Sequence, residues 1–356
     1  MKYLKQDDYD RFGCIAGKCP SSCCKGWEIC IDDETLDKYM DVKGTFESRI
    51  KEGIDWNEGT FRQCSGRCTM LNDSDLCDLQ LTLGEEMLCY TCGMYPRHME
   101  EFDGVREYTL SLSCPEAANM LVKRADLVSF VETEDDEEED DPDGYDEFDY
   151  MLYSTLLDLR EAIGKILRQD DLPIGMRLEI VLAICEEVQK LSDSGEYIDV
   201  SCLTGEIAAK EIHKWDYLEA KRDFALLFEL ERLSSTWEET IDGAWGFFFG
   251  SSEDKFERIT KSIYEENIIK DEWDKALTNI CIQLIYTYLC GAVYDGLIYA
   301  KAALAVNFVR WAYMISFYEA DSHLDKQIFI TTVYRLAKEL EHSDENLCAL
   351  DDWFIV

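Results

Sequence analysis

Basic residues are scarce in this chain: its 356 residues include 35 Lys and Arg against 75 Asp and Glu, a net charge of −40. A protein that binds a nucleic acid needs clustered Lys and Arg to displace counterions from phosphates, so we expect no nucleic-acid partner. An anionic membrane surface is disfavoured for the same reason. The charge instead favours cationic partners, among them lysine side chains on another protein.

Histidine is also scarce, and the usual catalytic motifs are missing. The four histidines are scattered along the chain and form no zinc-protease or deaminase spacing. The sequence contains no phosphate loop, no nucleophile elbow and no strand–glycine-rich–helix signature of a Rossmann-like cofactor site. A cofactor, if one binds, therefore needs a pocket of another kind.

Only five prolines occur, so almost nothing interrupts the second half of the chain. From residue 150 apolar residues recur at steps of three and four, as in Leu152, Leu156, Leu159, Ile163 and Ile166. This period predicts amphipathic helices here and around 178–191, 224–233, 256–268 and 272–294. The fold class is mainly α, with a Cys-rich N-terminal unit of short irregular elements followed by an α-helical domain.

An acidic run separates the two parts. Residues 132–149 contain thirteen acids and no base, which predicts a solvated linker. We therefore divide the chain into a Cys-rich unit (1–130), an acidic linker (131–149) and an α-helical domain (150–356). Residues 276–294 are uncharged and long enough to span a bilayer, but their polar residues favour a buried core helix over a transmembrane segment. Peripheral membrane association stays open.

Cysteine is the strongest compositional signal, because eleven of the sixteen cysteines fall within the first 114 residues. The opening MKYLKQDDYDRFGC has no apolar signal region, so we expect a cytoplasmic protein whose cysteines are thiols or metal ligands. The spacings are Cys14-x4-Cys19-x3-Cys23-Cys24, Cys64-x3-Cys68, Cys77, Cys89-x2-Cys92 and Cys114. A single zinc takes four ligands, usually from two close pairs, whereas iron–sulfur clusters are less strict about spacing.

Four segments resemble the flagellin lysine-N-methylase family in order and spacing: CIAGKCPSSCCKGW (14–27), CTMLNDSDLCDLQLTLG (68–84), TCGMYPR (91–97) and LSLSCPE (110–116). Together they cover about the first third of the chain, while residues 150–356 share only general helical character. The resemblance implies transfer of a methyl group from S-adenosylmethionine to lysine ε-amines of flagellin or another lysine-bearing protein. It also implies a four-iron, four-sulfur cluster, with Cys14, Cys19, Cys23, Cys24, Cys68, Cys77, Cys92 and Cys114 as candidate ligands.

These eight thiolates could hold two clusters, or one cluster with spare thiols, and zinc is the alternative metal. The CxxxCxxC triplet of radical S-adenosylmethionine enzymes is absent, because Cys24 directly follows Cys23. The cluster could be a redox centre, a Lewis-acid anchor for methionine or a structural staple.

Charged residues near these motifs and within the apolar helices are further candidates. Arg97 could bind the methionine carboxylate, although pairing with a local acid is the more frequent arrangement. Methyl transfer by displacement needs a neutral amine, and Asp295 and Tyr299, one helical turn apart, are candidates for the catalytic base. Lys301 and Arg310 could anchor a carboxylate, but charges in apolar helices are more often internal ion pairs.

Two other functions stay open. A metal-stapled redox or interaction module would use the thiols for stability and show no turnover. An enzyme of the same fold could use S-adenosylmethionine on another peptide, since substrate choice should reside in the helical part.

Overall fold

The computed structural model describes residues 1–135, 148–208, 212–250, 252–265, 271–321 and 323–355. Short elements dominate the N-terminal part of the chain. Its helices are α1 (Asp33–Met40), α2 (Glu47–Gly53), α3 (Asp78–Leu83), α4 (Tyr90–Met94) and α5 (Pro115–Lys123). Its strands are β1 (Lys2–Gln6), β2 (Ile29–Cys30), β3 (Ile54–Asp55), β4 (Thr60–Phe61), β5 (Gln63–Cys64), β6 (Arg67–Cys68), β7 (Arg97–Phe102), β8 (Val105–Leu110) and β9 (Phe130–Glu134).

Helices dominate the described residues after 148, which confirms the prediction of a mainly α fold. The longer ones are α6 (Tyr150–Leu167), α7 (Ile174–Ser194), α10 (Ser235–Phe249), α12 (Asp271–Tyr288), α14 (Ile298–Glu319) and α15 (Lys326–Glu341). The shorter ones are α8 (Val200–Ala208), α9 (Tyr217–Ala225), α11 (Glu253–Tyr264), α13 (Ala292–Asp295) and α16 (Asp344–Trp353).

Helix α6 illustrates why these segments are helical. The Asp149 carboxylate caps its start by accepting a hydrogen bond from the Leu152 backbone N–H at 2.9 Å. The predicted apolar face is fully buried at Leu156, Leu159 and Ile163. The caps and the apolar period of the sequence therefore locate this helix together.

One four-stranded sheet, in the order β7-β8-β1-β9, packs against the helices. β1 runs parallel to β8 and antiparallel to β9, so Leu4 lies between Glu107 and Glu132. The Glu107 carboxylate accepts two hydrogen bonds from the Arg160 guanidinium of α6, at 2.5 and 2.7 Å. Both side chains are buried, so this bidentate ion pair joins the sheet to the helical part.

The apolar side chains form two main cores. The larger one surrounds α14, which is buried on nearly every face, and it includes Leu112, Leu121 and Val128 from the predicted N-terminal unit. The smaller one lies beneath the cysteine loops and contains Ile29, Ile50, Ile54, Phe61 and Met70. The sheet and α5 thus pack with the helical part, and the cysteine loops have a core of their own.

The helix predicted at 224–233 lies earlier in the chain. α9 begins at a capping box formed by Asp216 and Glu219 and gives way to a 3-10 turn after Ala225. The backbone N–H of Glu231 then donates to the Asn346 side chain at 2.7 Å instead of continuing the helix. This long-range bond explains why the local pattern placed the helix wrongly.

Two other expectations concern the linker and the apolar segment. Most of the predicted acidic linker, residues 136–147, lies outside the described residues, and its first residues belong to β9 at the edge of the sheet. Within the described residues, Asp271–Asp295 is the one helical segment apolar and long enough to cross a membrane, and 72% of its most apolar stretch is buried in the protein. It lies in the larger core, as predicted for 276–294.

Candidate active site

The first cysteine loop folds back on itself through local hydrogen bonds. Residues Ala16–Lys18 form a 3-10 turn whose first backbone N–H lies 3.4 Å from the Cys14 sulfur. Trp27 closes the loop, because its indole N–H donates to the Cys23 carbonyl at 2.6 Å. Three thiols of the motif CIAGKCPSSCCKGW, those of Cys14, Cys23 and Cys24, line one cavity together with Trp27.

Nine N-terminal thiols form two neighbouring groups. The first contains Cys14, Cys19, Cys23 and Cys114, and the second contains Cys24, Cys68, Cys77, Cys89 and Cys92. A hydrogen bond between the thiols of Cys23 and Cys24 joins the groups. Burial raises the pKa of Cys68 to about 11 and that of Cys114 to about 12, so both are mainly protonated near neutral pH and would lose the proton on binding a metal.

The cysteine sulfurs of the described residues are not drawn together as tightly as the four ligands of one bound zinc ion. Tetrahedral zinc with Zn–S bonds of about 2.3 Å holds its sulfurs about 3.8 Å apart. Among the described residues, no three cysteine sulfurs lie within 4.8 Å of one another. A four-iron cluster binds each thiolate through a different iron, which requires wider separations. The donor set, thiols alone in two adjacent groups, has the chemistry that such a cluster needs.

The structure adds one thiol to the eight predicted from the sequence. Cys89 is buried in the second group and is hydrogen-bonded to Cys92. Its Cys-x2-Cys spacing was a signal for ligation, but it lay outside the family pattern. Cys30 and Cys64 are exposed on β2 and β5 and belong to neither group.

Two cavities meet beside the first thiol group. The thiol cavity, about 420 Å³, is lined by Cys14, Cys23, Cys24, Cys77 and Cys92. The acidic cavity, about 550 Å³, is lined by Glu100, Asp295, Glu341 and Asp344 together with aromatic side chains. The two cavities share Trp27, Tyr95 and Arg97, which therefore form a common wall.

Glu341, the last residue of α15, is the most constrained acid of the acidic cavity. Its carboxylate accepts hydrogen bonds from the Ser111 hydroxyl and from the Ser113 backbone N–H, the latter at 3.1 Å. The Tyr288 hydroxyl donates to the same carboxylate. Burial raises the pKa of Glu341 above its ordinary value, although the serine bonds oppose the shift. A carboxylate in this position can accept a proton from an amine that enters the cavity.

His342 lies next to Glu341 and faces the common wall. Its ring stacks on Trp27 with the centroids 4.6 Å apart, and its Nε2 lies 3.1 Å from the Ser113 hydroxyl oxygen. That hydroxyl also contacts the Tyr95 hydroxyl at 3.0 Å. Burial and the nearby Lys338 charge lower the pKa of His342 to about 3, so its imidazole is neutral at physiological pH.

Arg97 is not paired with a local acid such as Glu100 or Glu116. Its guanidinium lies over the Phe12 ring at 5.2 Å and over the Tyr9 ring at 5.7 Å, and it forms no ion pair within the described residues. One donor, on Nη2, contacts the Phe12 carbonyl at 3.4 Å, and the others are available to a ligand in either cavity.

Asp295 and Lys301 line the acidic cavity and form an internal ion pair. The Lys301 ammonium lies 2.9 Å from the Asp295 carboxylate and 2.6 Å from that of Asp351. A lysine held by two carboxylates is not available to anchor a third, and Asp295 already has a cationic partner. Glu341 is therefore the better candidate for the base.

Tyr299 and Arg310 lie elsewhere, in a cavity of about 350 Å³. Gly296 adopts a left-handed φ of +74° and ends α13, so Asp295 and Tyr299 are not one turn apart on a continuous helix. The buried Arg310 guanidinium lies 2.5 Å from the Glu179 carboxylate, which makes it part of an internal ion pair. The structure does not bring these two residues to the acidic cavity.

Sequence reasoning missed Glu341, Tyr288 and His342. One local signal existed: an acid in the last turn of a helix opposes the helix dipole, where Lys, Arg or His is usual. The serines of LSLSCPE, which hold the Glu341 carboxylate, lie 228 and 230 residues away. No short-range pattern reports such a pairing.

Comparisons with known proteins identify the family of the chain. Residues 160–355, more than half of the chain, match the family described as FliB lysine N-methylase C-terminal domain. The chain belongs to the FliB lysine N-methylase family. The match falls on the helical part of this FliB-family chain, where the sequence motifs had offered only general helical character.

Relatives of this FliB-family chain include proteins of Salmonella. It is 32% identical over 131 residues to a protein of Salmonella typhimurium named lysine-N-methylase, and 34% of the chain aligns with 33% of that relative. It is 31% identical over 130 residues to the flagellar biosynthetic protein FliU of Salmonella muenchen, covering 34% of the chain and 77% of the relative. The aligned part spans about a third of the length of the lysine-N-methylase. No solved structure matches the chain.

Proposed function

We propose that this protein transfers a methyl group from S-adenosylmethionine to the ε-amine of lysine in another protein, with flagellin as the substrate. Membership of the FliB lysine N-methylase family supports the reaction class. One structural observation carries the assignment of the site: the thiol cavity and the acidic cavity share Trp27, Tyr95 and Arg97 as a common wall. A donor held near the thiols and an acceptor in the acidic cavity would meet at this wall.

The acidic cavity has the properties that an acceptor lysine needs. Its acids attract the ammonium form, and the aromatic side chains Trp27, Tyr288 and Tyr294 provide apolar walls for the four-carbon stem. Free lysine titrates near about 10.4, so the amine must lose a proton before it attacks. The Glu341 carboxylate is the base that we assign to this proton.

The reaction that follows is a displacement. The neutral amine attacks the methyl carbon of the sulfonium, the S–CH₃ bond breaks as the N–CH₃ bond forms, and S-adenosylhomocysteine leaves. The positive charge moves from sulfur to nitrogen, which leaves a methylammonium, and the one proton that Glu341 took before the attack passes to solvent. The neutral imidazole of His342 adds no positive charge beside the ammonium.

The thiols in the two groups would hold a four-iron, four-sulfur cluster. The first group, with Cys14, Cys19, Cys23 and Cys114, borders the common wall, and the second group is larger by one thiol. When bound, a cluster of this kind supplies a one-electron centre and cross-links the cysteine loops. Trp27 and Tyr95 would then be positioned by the loops that the cluster holds together.

Flagellin is proposed from the names of the relatives and from charge. A relative is named for flagellar biosynthesis, and a chain with a net charge of −40 attracts proteins that display lysines. Another lysine-bearing protein or a peptide would satisfy the same cavity, so the acceptor has to be tested directly.

The test starts from protein purified without air. Iron and acid-labile sulfide are measured first, and about four of each per chain are expected for one cluster. The protein is then incubated with S-adenosylmethionine carrying a labelled methyl group and with flagellin, and labelled lysines are located by mass spectrometry. Flagellin whose lysines were exhaustively acetylated beforehand is the matched control and should gain no label, because an amide nitrogen does not attack the methyl group. Cluster-replete protein that binds S-adenosylmethionine but labels no protein would overturn the proposed acceptor.

A further inference from the structure

A third cavity lies between the cysteine loops and α15, and its lining is unusually basic. It measures about 400 Å³ and is lined by Ser21, Lys25, Ser65, Arg335, Lys338 and His342, among others. In a chain with fewer than half as many bases as acids, three cationic side chains converge here. The basic cavity also shares His342 with the acidic cavity, so the two adjoin.

Two of the three bases already have carboxylate partners. The Lys25 ammonium lies 2.7 Å from the Asp75 carboxylate, and the Arg335 guanidinium lies 2.9 Å from that of Glu319. These pairs leave both bases near the cavity with their charges largely balanced. Lys25 and Arg335 therefore do not by themselves indicate a bound anion.

Lys338 differs from them, because it forms no ion pair within the part of the chain that the structure describes. Its ammonium contacts the Ser21 hydroxyl at 2.8 Å and the Ser22 carbonyl at 3.1 Å. An ammonium has three donors, so one remains for a ligand in the cavity. The neighbouring thiols of the first group would balance part of this charge as metal-bound thiolates, and the remaining donor can still bind an anionic group in the cavity.

The acid in the cavity does not compensate Lys338. One carboxylate oxygen of the buried Glu339 accepts a hydrogen bond from the Leu233 backbone N–H at 2.8 Å. The hydroxyls of Ser234 and Thr236, 3.0 Å apart, stand beside it in the lining. The cavity therefore offers hydroxyl donors and an unpaired ammonium together.

We propose that the basic cavity binds the carboxylate of a small ligand, with Lys338 as its anchor. The inference rests on the proposed function in one respect: the ligand that we assign is the methyl donor, whose methionine part carries a carboxylate. Two of the three sequence-based candidates for this task, Lys301 and Arg310, are occupied by internal carboxylates, and the third, Arg97, lies outside the basic cavity. A donor anchored at Lys338 would lie beside His342 and hence next to the acidic cavity.

The experiment compares two nucleosides that differ in the carboxylate. S-adenosylhomocysteine carries the amino-acid part, and 5′-methylthioadenosine lacks it. Dissociation constants are measured by calorimetry on the full, anaerobically purified chain and on Lys338→Met, Lys338→Arg and Lys261→Met. Lys261 pairs with Glu265 on the surface and lies outside the basic cavity, so its variant controls for loss of one charge.

Lys338→Met should weaken S-adenosylhomocysteine about tenfold to 100-fold, the loss expected for a hydrogen bond to a charged group. Binding of 5′-methylthioadenosine should stay unchanged. Lys338→Arg should weaken binding of S-adenosylhomocysteine less than Lys338→Met does, and Lys261→Met should not weaken it. Equal weakening of both nucleosides would overturn the proposal, because it would mean that Lys338 only supports the cysteine loop. Unchanged binding of both would overturn it too.

A separate arm distinguishes failure of this inference from failure of the proposed function. If the wild-type chain binds neither nucleoside, the proposed function is contradicted, and inorganic phosphate is used as the anionic probe. Phosphate binding that Lys338→Met abolishes and Lys261→Met retains would support the anion site without the methyl donor. Absence of phosphate binding in that case would overturn the anion site as well.

Discussion

Replacing Glu341 by Gln tests the proposed base with little change in shape. The amide keeps an oxygen that can accept from Ser111 and from the Ser113 backbone N–H, so the local hydrogen bonds survive. What the variant loses is the ability to take a proton. A positioned general base typically contributes about 10²–10⁴-fold to a rate, and we expect the methylation rate to fall by that factor.

The pH dependence adds a second readout. Burial raises the pKa of Glu341, so the wild-type rate should fall as the pH drops through that raised pKa and the carboxylate becomes protonated. The Glu341→Gln variant lacks this step and depends on amines that are already neutral. Its rate should rise about tenfold per pH unit until the lysine itself titrates near about 10.4.

The assay is initial-rate transfer of labelled methyl groups at saturating donor, with folding checked by denaturant unfolding. Glu179→Gln is the matched control, because Glu179 is also a buried acid but pairs with Arg310 far from the acidic cavity. That variant should lose about 3–5 kcal/mol of unfolding free energy and keep its rate per folded molecule. A Glu341→Gln rate within about twofold of wild type, with the same pH dependence, would refute the assignment of the base.

Three further outcomes are expected. Cys24→Ser and Cys89→Ser should lower the iron and sulfide content of anaerobically purified protein, whereas Cys30→Ser, at an exposed thiol outside both groups, should leave it unchanged. Burial raises the pKa of Glu339 to about 7 from 4.5, so it favours the folded state at low pH, and this contribution is lost as the pH rises through 7. Relative to Glu339→Gln, the wild-type unfolding free energy should fall by about 3 kcal/mol between pH 4 and pH 8, as measured by urea unfolding. Lys301→Met should lower stability by about 1–3 kcal/mol and leave donor affinity unchanged in calorimetry, because its ammonium is held by two carboxylates.

Local patterns predicted the elements that local forces determine. The apolar period located α6 and α7, and the capping acid Asp149 at the start of α6 agrees with it. The period failed at 224–233, where the Asn346 side chain takes the backbone N–H that a continuing helix would use. It also could not register the turn at Gly296, which separates Asp295 from α14. In both places a single residue, Asn346 or Gly296, ends the helix that the apolar period predicts.

The site was predictable to the extent that its residues are neighbours in sequence. Short loops bring together the thiols of Cys14 to Cys24 and those of Cys89 and Cys92. Their close spacing in the sequence therefore predicted that they would converge. Arg97 follows the same loops and lies at the common wall. Glu341 could not be found in this way, since α15 and the serines that hold it meet only through packing of α5 against α15.

The family match and the sequence motifs fall on different parts of the chain, and the site explains why both are needed. The matched region, residues 160–355, supplies Glu341, Tyr288 and Lys338. The motif-bearing first third supplies Trp27, Tyr95 and Arg97, and with them the thiols. Neither set of residues encloses the acidic cavity alone, because the proposed base, Glu341, lies on α15 and the common wall belongs to the cysteine loops. Loss of metal should therefore act on the acceptor site through displacement of the wall, even if the cluster takes no direct part in the transfer.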